Sequence, residues 1–395
     1  MVFKLPDSTG EGWRMLNILN SKERILGAIR GEEVDYVPFV IPWNEDQQKH
    51  EMLPWNNQRE RLAYSAQMGW DTYLTIGAQA RPSSKVTVTK SILEENGAKT
   101  LSQTWTTPAA TLRETIKLTD DWDKRELERP YLWLLSDFRT SRYIAYPFKN
   151  EQDLEALEYI FPMESKTDAD YMAKSYAEQR ALADEFGYPL FLYLDAGMDW
   201  LMWLYPPEEQ VYRAMDQPEF IEKLLDHINK VKIRRLEIAL ELGIDGVIRR
   251  GWYESTDIWN PELLRRFALP ALEKEINLVH EAEKVYVYTI VTGIKGIATD
   301  LSRLNFDCIH SPDPVLGDMP VKEVREAFRG KMLWGGLSAP GHFGAPTSEI
   351  AAKAVEEAIT ICGKTRLILG MAASYRHYFP WENYVAAEQA WLKYR

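Results

Sequence analysis

Eight short apolar stretches, each followed by polar sequence and then by a helix-patterned segment, constrain this chain more than any other feature. They are VPFVIPW (37–43), DTYLTIG (71–77), PLFLYLDAG (189–197), GIDGVIRRG (243–251), KVYVYTIVTG (284–293), FDCIHSPDP (306–314), KMLWGGLSAP (331–340) and RLILGMAAS (366–374). Between them, segments such as 218–243 and 261–284 repeat apolar residues at three- and four-residue spacing, the period of one helix face. Strands alternating with helices pair in parallel, and eight such units in 395 residues predict an α/β protein, a (β/α)8 TIM barrel forming a single domain over 1–395. One segment breaks the rhythm. Residues 85–118 alternate with period two around Glu95-Asn96-Gly97, which predicts an inserted β-hairpin able to wall or cover the barrel mouth.

Barrels of this kind carry chemistry where the strands end, at the carboxyl face. That rule selects Trp43, Asn44 and Glu45 after the first run, then Asp195 and Asp199. It also selects Trp252, Tyr253 and Glu254; Tyr288 and Thr292; His310 and Asp313; His342; and Tyr375, Arg376 and His377. The densest of these ends is GIDGVIRRGWYESTDIW (243–259), where a buried run gives way to arginine, aromatic and acid within a few positions. Adjacent strand residues face opposite ways, so at most one of Arg249 and Arg250 enters the mouth.

Composition removes several classes of function. A net charge of -12 argues against nucleic acid, whose phosphates require clustered Lys and Arg. The amino-terminal stretch has no apolar signal core and no 18-residue apolar run follows, so neither a membrane span nor export is expected. Cys308 and Cys362 form no close-spaced metal motif and no disulfide framework, which fits a cytoplasmic protein. The chain carries 14 Trp, 20 Tyr and 13 Phe, with many of the Trp in loop-like contexts, and this points to an aromatic-lined cavity.

SKERILGAIRGEEVDYVPF (21–39), YPFKNEQDLEAL (146–157), NPELLRRFALPALEK (260–274) and FPWENYVAAEQAW (379–391) resemble, in order, segments of the uroporphyrinogen decarboxylase-like superfamily. The resemblance implies one of three chemistries: decarboxylation of a tetrapyrrole, zinc-dependent methyl transfer to a thiol, or methyl transfer involving a corrinoid protein. The decarboxylases place arginine after the first strand, where this chain reads IPWNEDQQKH, with acids and no arginine. The zinc enzymes place a His-X-Cys pair after strand five and a Cys after strand eight. Here those places hold Ile290, Val291 and Thr292, and Gly370-Met371-Ala372-Ala373, so no zinc is expected. Gly251-Trp-Tyr-Glu-Ser-Thr256 and a Tyr-rich strand five ending in Thr292-Gly293 resemble the corrinoid-dependent O-demethylase methyltransferases. That branch implies a small methoxyarene substrate and a partner corrinoid (cobalamin) protein as methyl acceptor. The family also leaves a homodimer open.

For such a reaction Glu254 is the expected acid at the departing oxygen, its carboxyl made less acidic by Trp252, Tyr253 and burial. Asp195 is a second acid or the acceptor of a substrate hydroxyl, Tyr288 aims its hydroxyl into the barrel, and His310 and His377 complete the catalytic candidates. Trp43, Asn44, Asp199, Trp252, Tyr253, Thr292, Asp313 and Tyr375 are the expected substrate-binding residues. Each has a plainer reading: an ion pair of Glu254 with Arg249 or Arg250, a loop carboxylate for Asp195, strand packing for Tyr288, a rigid turn for His310 and Asp313. Other classes stay open: a uroporphyrinogen decarboxylase-type lyase, a glycoside hydrolase using Asp195 and Glu254, or a non-catalytic binding protein.

Overall fold

The computed structural model describes residues 4–6, 13–15, 19–41, 50–77, 82–119, 122, 127–134, 142–163, 166–195, 197–372 and 376–395. All eight apolar runs contain strands: β1 (Phe39–Val40), β2 (Leu74–Ile76), β3 (Leu190–Asp195), β4 (Gly246–Arg250), β5 (Val285–Thr289), β6 (Cys308–His310), β7 (Met332–Ser338) and β8 (Leu367–Ala372). Neighbours in sequence are neighbours in space, every pairing is parallel, and β8 returns to β1. A single parallel bridge between Val40 and Asp71, just ahead of β2, closes the circle.

The period of two sorts the strand residues onto two faces. Phe191, Ile248, Val287, Cys308, Met332 and Ile368 form an inner cluster with Ile25, Leu26 and Ile29 of helix Ser21–Arg30. Most of these are early strand residues, so that helix stops the amino-terminal end of the barrel. Leu192, Val247, Tyr286, Ile309, Leu333 and Leu369 face the other way, into one core with Leu224, Ile276 and Val355 of the surrounding helices. Each large aliphatic side chain buried there contributes about 1.5–3 kcal/mol.

The 218–243 pattern is one helix, Pro218–Leu242, ended by Gly243 in the left-handed region. The 261–284 pattern divides into Pro261–Phe267 and Leu269–Glu281. Pro270 has no N–H to give the preceding turn, so the second helix starts afresh there.

The expected hairpin is part of something larger. Thr87–Glu95 and Ala98–Thr106 pair around Asn96 and Gly97, whose φ values of 52° and 77° suit a tight two-residue reversal. Thr111–Leu118 and Tyr143–Ala145 continue the antiparallel order, giving a four-stranded sheet over its own cluster of Leu101, Ile116, Trp122 and Leu132. None of the described helices is long and apolar enough to cross a membrane.

Candidate active site

Strand β4 determines the mouth, because its last two residues diverge. Ile248 lies in the inner cluster, so Arg250 enters the mouth while Arg249 points out toward the helices. Arg250 Nε stands 3.1 Å from Asp195 Oδ1 and 3.3 Å from Asp199 Oδ2, with its guanidinium over the rings of Trp203 and Trp252.

Arg249 organises a different network, between barrel and helices. Its Nη2 donates to Glu254 Oε1 at 2.7 Å and its Nε to Glu275 Oε2 at 3.3 Å. Lys232 also pairs with Glu275, and Tyr286 donates to the same carboxylate at 2.7 Å. Two cations and two carboxylates thus balance in a region closed to solvent. This corrects two expectations. Glu254 does not face the mouth: its Oε1 also receives the Met198 N–H at 3.0 Å, and its Oε2 receives the Tyr288 hydroxyl at 3.1 Å. Tyr288 does not aim into the barrel, since it shares the outward face of β5 with Tyr286. Burial, then the negative Glu254, push its hydroxyl well above the ordinary phenol range.

Asp195, the last residue of β3, faces an open space. A cavity of about 220 Å³ lies at the ends of β2 and β3, lined by Gly77, Tyr193, Leu194, Asp195, Trp200, Ile160, Phe161 and Arg235, with Trp105, Trp133 and Leu134 from the insert side. Asp195 is the acid among these described lining residues. Its side chain keeps 40 % of its accessible surface, yet burial raises its pKa against the pull of Arg250, Arg249 and Arg235. The two facts agree because its accessible surface meets a recessed cavity with apolar walls, where a charge is poorly solvated.

The remaining candidates separate by function. Asp199 is fully buried and accepts the backbone N–H groups of Trp252 (3.1 Å) and Tyr253 (2.8 Å), so it holds the loop after β4 rather than a substrate. Burial lifts its pKa to about 7, against Arg250 and the Tyr253 N–H. Trp252 is half-buried beside Arg250, and Tyr253 meets Trp203 edge-on. Thr292 donates to Asp257. His310 is held by the Thr289 hydroxyl at 2.8 Å and that of Ser311 at 3.1 Å, and burial lowers its pKa to about 3, which keeps it neutral. Asp313 accepts from Val315 N, Leu316 N and Ser338 Oγ, so the plainer reading of a rigid turn describes it. His342 accepts from the Ser338 N–H. His377 is exposed against Tyr378. Trp43, Asn44, Glu45 and Tyr375 lie outside the described residues.

The sequence reading did not identify Trp105, Trp133, Trp200 or Arg235 as part of the site. The only local signal was tryptophan in the alternating QTWTT of the insert, and nothing there says which face meets the barrel. Among the described residues, no group of three or more His, Cys, Asp and Glu side chains is placed to hold a metal ion.

Fold and site together define an α/β barrel with an aromatic cavity and an acid at its mouth. The sequence matches no protein-family model and no curated protein. Among solved structures, the chain is similar to a methyltransferase from Methanosarcina mazei, with a TM-score of 0.57 and 16% identity over 95% of this chain and 99% of that one. It is also similar to a B12-independent methionine synthase from Shewanella sp. W3-18-1, with a TM-score of 0.49 and 12% identity over 91% of this chain and 97% of that one. The first likeness establishes the shared fold.

Proposed function

We propose that the chain is a methyltransferase that demethylates a phenyl methyl ether and passes the methyl group to the cobalt(I) of a corrinoid protein. The observation that carries this reading is the cavity lined by Trp105, Trp133, Trp200, Phe161 and Tyr193 beside one carboxyl group of raised pKa, Asp195. The M. mazei protein of the same fold is described as a methyltransferase, which agrees with it.

The cavity has room for one aromatic ring and none for a corrin macrocycle, so the acceptor is presented from outside by a separate protein. Val315 and Leu316 after β6 and Tyr378 after β8 leave exposed apolar surface at that end for such a partner. The acceptor supplies the electron pair that displaces the oxygen from the methyl carbon. This chain holds the ring between tryptophans, keeps water from the reacting bond, and delivers the Asp195 proton to the departing oxygen, which leaves as a phenol. Modest help suffices, because a phenol has a pKa of about 10 whereas the limit for an alkoxide lies at about 15.7.

Asp195 therefore takes the part that the sequence suggested for Glu254. The glycoside hydrolase alternative loses its carboxylate pair, since Glu254 is engaged by Arg249, Met198 and Tyr288. The test is product formation: guaiacol with a reduced corrinoid carrier yields catechol, and methanol yields no transfer. Equal turnover of methanol overturns the proposal.

A further inference from the structure

The cavity has two walls of different origin, and the one supplied by the insert is unusually well braced. Trp105 Nε1 donates to Glu114 Oε1 at 3.1 Å, and Gln103 Nε2 donates to the same oxygen at 2.6 Å. Tyr143 bonds the other oxygen at 3.2 Å, so three strands of the insert meet at one buried carboxylate. Gln103 also engages both the N–H and the carbonyl of Leu132. This clamps segment 131–134 to the sheet and presents a ladder of rings, Trp105 to Tyr131 at 5.2 Å and Tyr131 to Trp133 at 5.3 Å. Fixed polar bonds behind an aromatic face make a rigid boundary.

On the barrel side, the buried indole N–H of Trp200, a donor, has no hydrogen-bond partner among the described residues, while Asp195 Oδ1 is paired with Arg250 Nε at 3.1 Å. Buried polar groups are normally satisfied, so the Trp200 N–H suits a ligand bearing an acceptor oxygen. Volume limits the rest. A cavity of about 150 Å³ accommodates a benzene ring, so about 220 Å³ takes one ring with small oxygen substituents.

We infer that this cavity is the ring subsite, that it takes a single-ring arene carrying an oxygen substituent, and that Trp105 and Trp133 of the insert set the size limit. The inference rests on the proposed reaction for its choice of arene, but binding alone tests it. Trp133 is half-buried and makes none of the bonds to Glu114, so Trp133→Ala leaves that clamp in place; Trp105→Phe is the milder second variant. Equilibrium binding of guaiacol and of 2-methoxynaphthalene is measured by calorimetry, without any methyl acceptor. The wild-type protein is expected to prefer guaiacol by at least about 10-fold, the scale of discrimination a shaped apolar pocket supplies. Trp133→Ala is expected to narrow that preference at least about 10-fold, and Trp105→Phe to narrow it less. Equal binding of the two arenes by the wild type, no binding of either, or an unchanged preference in both variants overturns the subsite. Methyl transfer from guaiacol with preference unchanged in both variants contradicts this inference and leaves the reaction standing. Size-selective binding without methyl transfer does the opposite.

Discussion

Arg249 and Arg250 are neighbours in sequence and belong to different chemistries, because successive strand residues face opposite sides of the sheet. The pattern showed that at most one could enter the mouth; which one depends on register, and register is set by the pairing of β4 with β3 and β5. Glu254, in the turn after β4, folds back to Arg249 and away from the mouth. Glu254→Gln is therefore expected to act on stability: it removes one anion from a buried balanced network and costs about 3–5 kcal/mol, read as a fall in the denaturant midpoint. Native stability combined with a large loss of methyl transfer would return Glu254 to the reaction. Asp199 gives a pH test. Its pKa is raised in the folded state from 3.8 to about 7, so the folded protein holds the extra proton in that window. Stability relative to an Asp199→Asn variant should fall as pH rises from about 4 to about 7 and stay level above. A difference that is flat with pH, or that grows as pH rises, contradicts this.

At the scale of elements, the eight strands were legible because parallel strands buried on both faces are continuous apolar runs. The insert was legible as far as its Asn96-Gly97 turn. Its fourth strand, Tyr143–Ala145, is three residues long and too short to show an alternating period. The split of the helix after β4 was marked by Pro270 within the pattern. Least visible was the turn Gly197–Trp200, which carries Asp199 and Trp200 under the mouth. Gly197 has φ +67°, and a Cβ there would lie 2.4 Å from both Arg249 Nη2 and Glu254 Oε1. Gly197→Ala should cost roughly 1–3 kcal/mol from backbone strain alone, and displacement of Trp200 should raise KM for the arene. Unchanged thermal midpoint and KM would show that the turn yields without consequence.

For the molecule as a whole, fold class followed from rhythm, but the cavity did not. Its walls come from Trp105 and Trp133 of the insert, held to each other's segments by Gln103 reaching Leu132, and from Tyr193, Leu194, Asp195 and Trp200 of the barrel. No local pattern encodes a contact between an insert and a strand end. On the resemblance read from the sequence, Ile290, Thr292 and Ala372 stand where zinc ligands would be expected, so methyl transfer is expected to survive treatment with a chelator. One tightly bound zinc per chain, with activity lost on its removal, would contradict that. The central claim is that Asp195 in an aromatic cavity assists departure of a phenol oxygen while a corrinoid protein takes the methyl group. The most direct measurement is the rate of the cobalt(I)-to-methylcobalt(III) absorbance change when the protein and guaiacol meet a reduced corrinoid carrier. The wild-type protein should produce the change, and Asp195→Asn should slow it by roughly 10²–10⁴-fold. No absorbance change with the wild type, or an Asp195→Asn rate equal to it, would contradict the account.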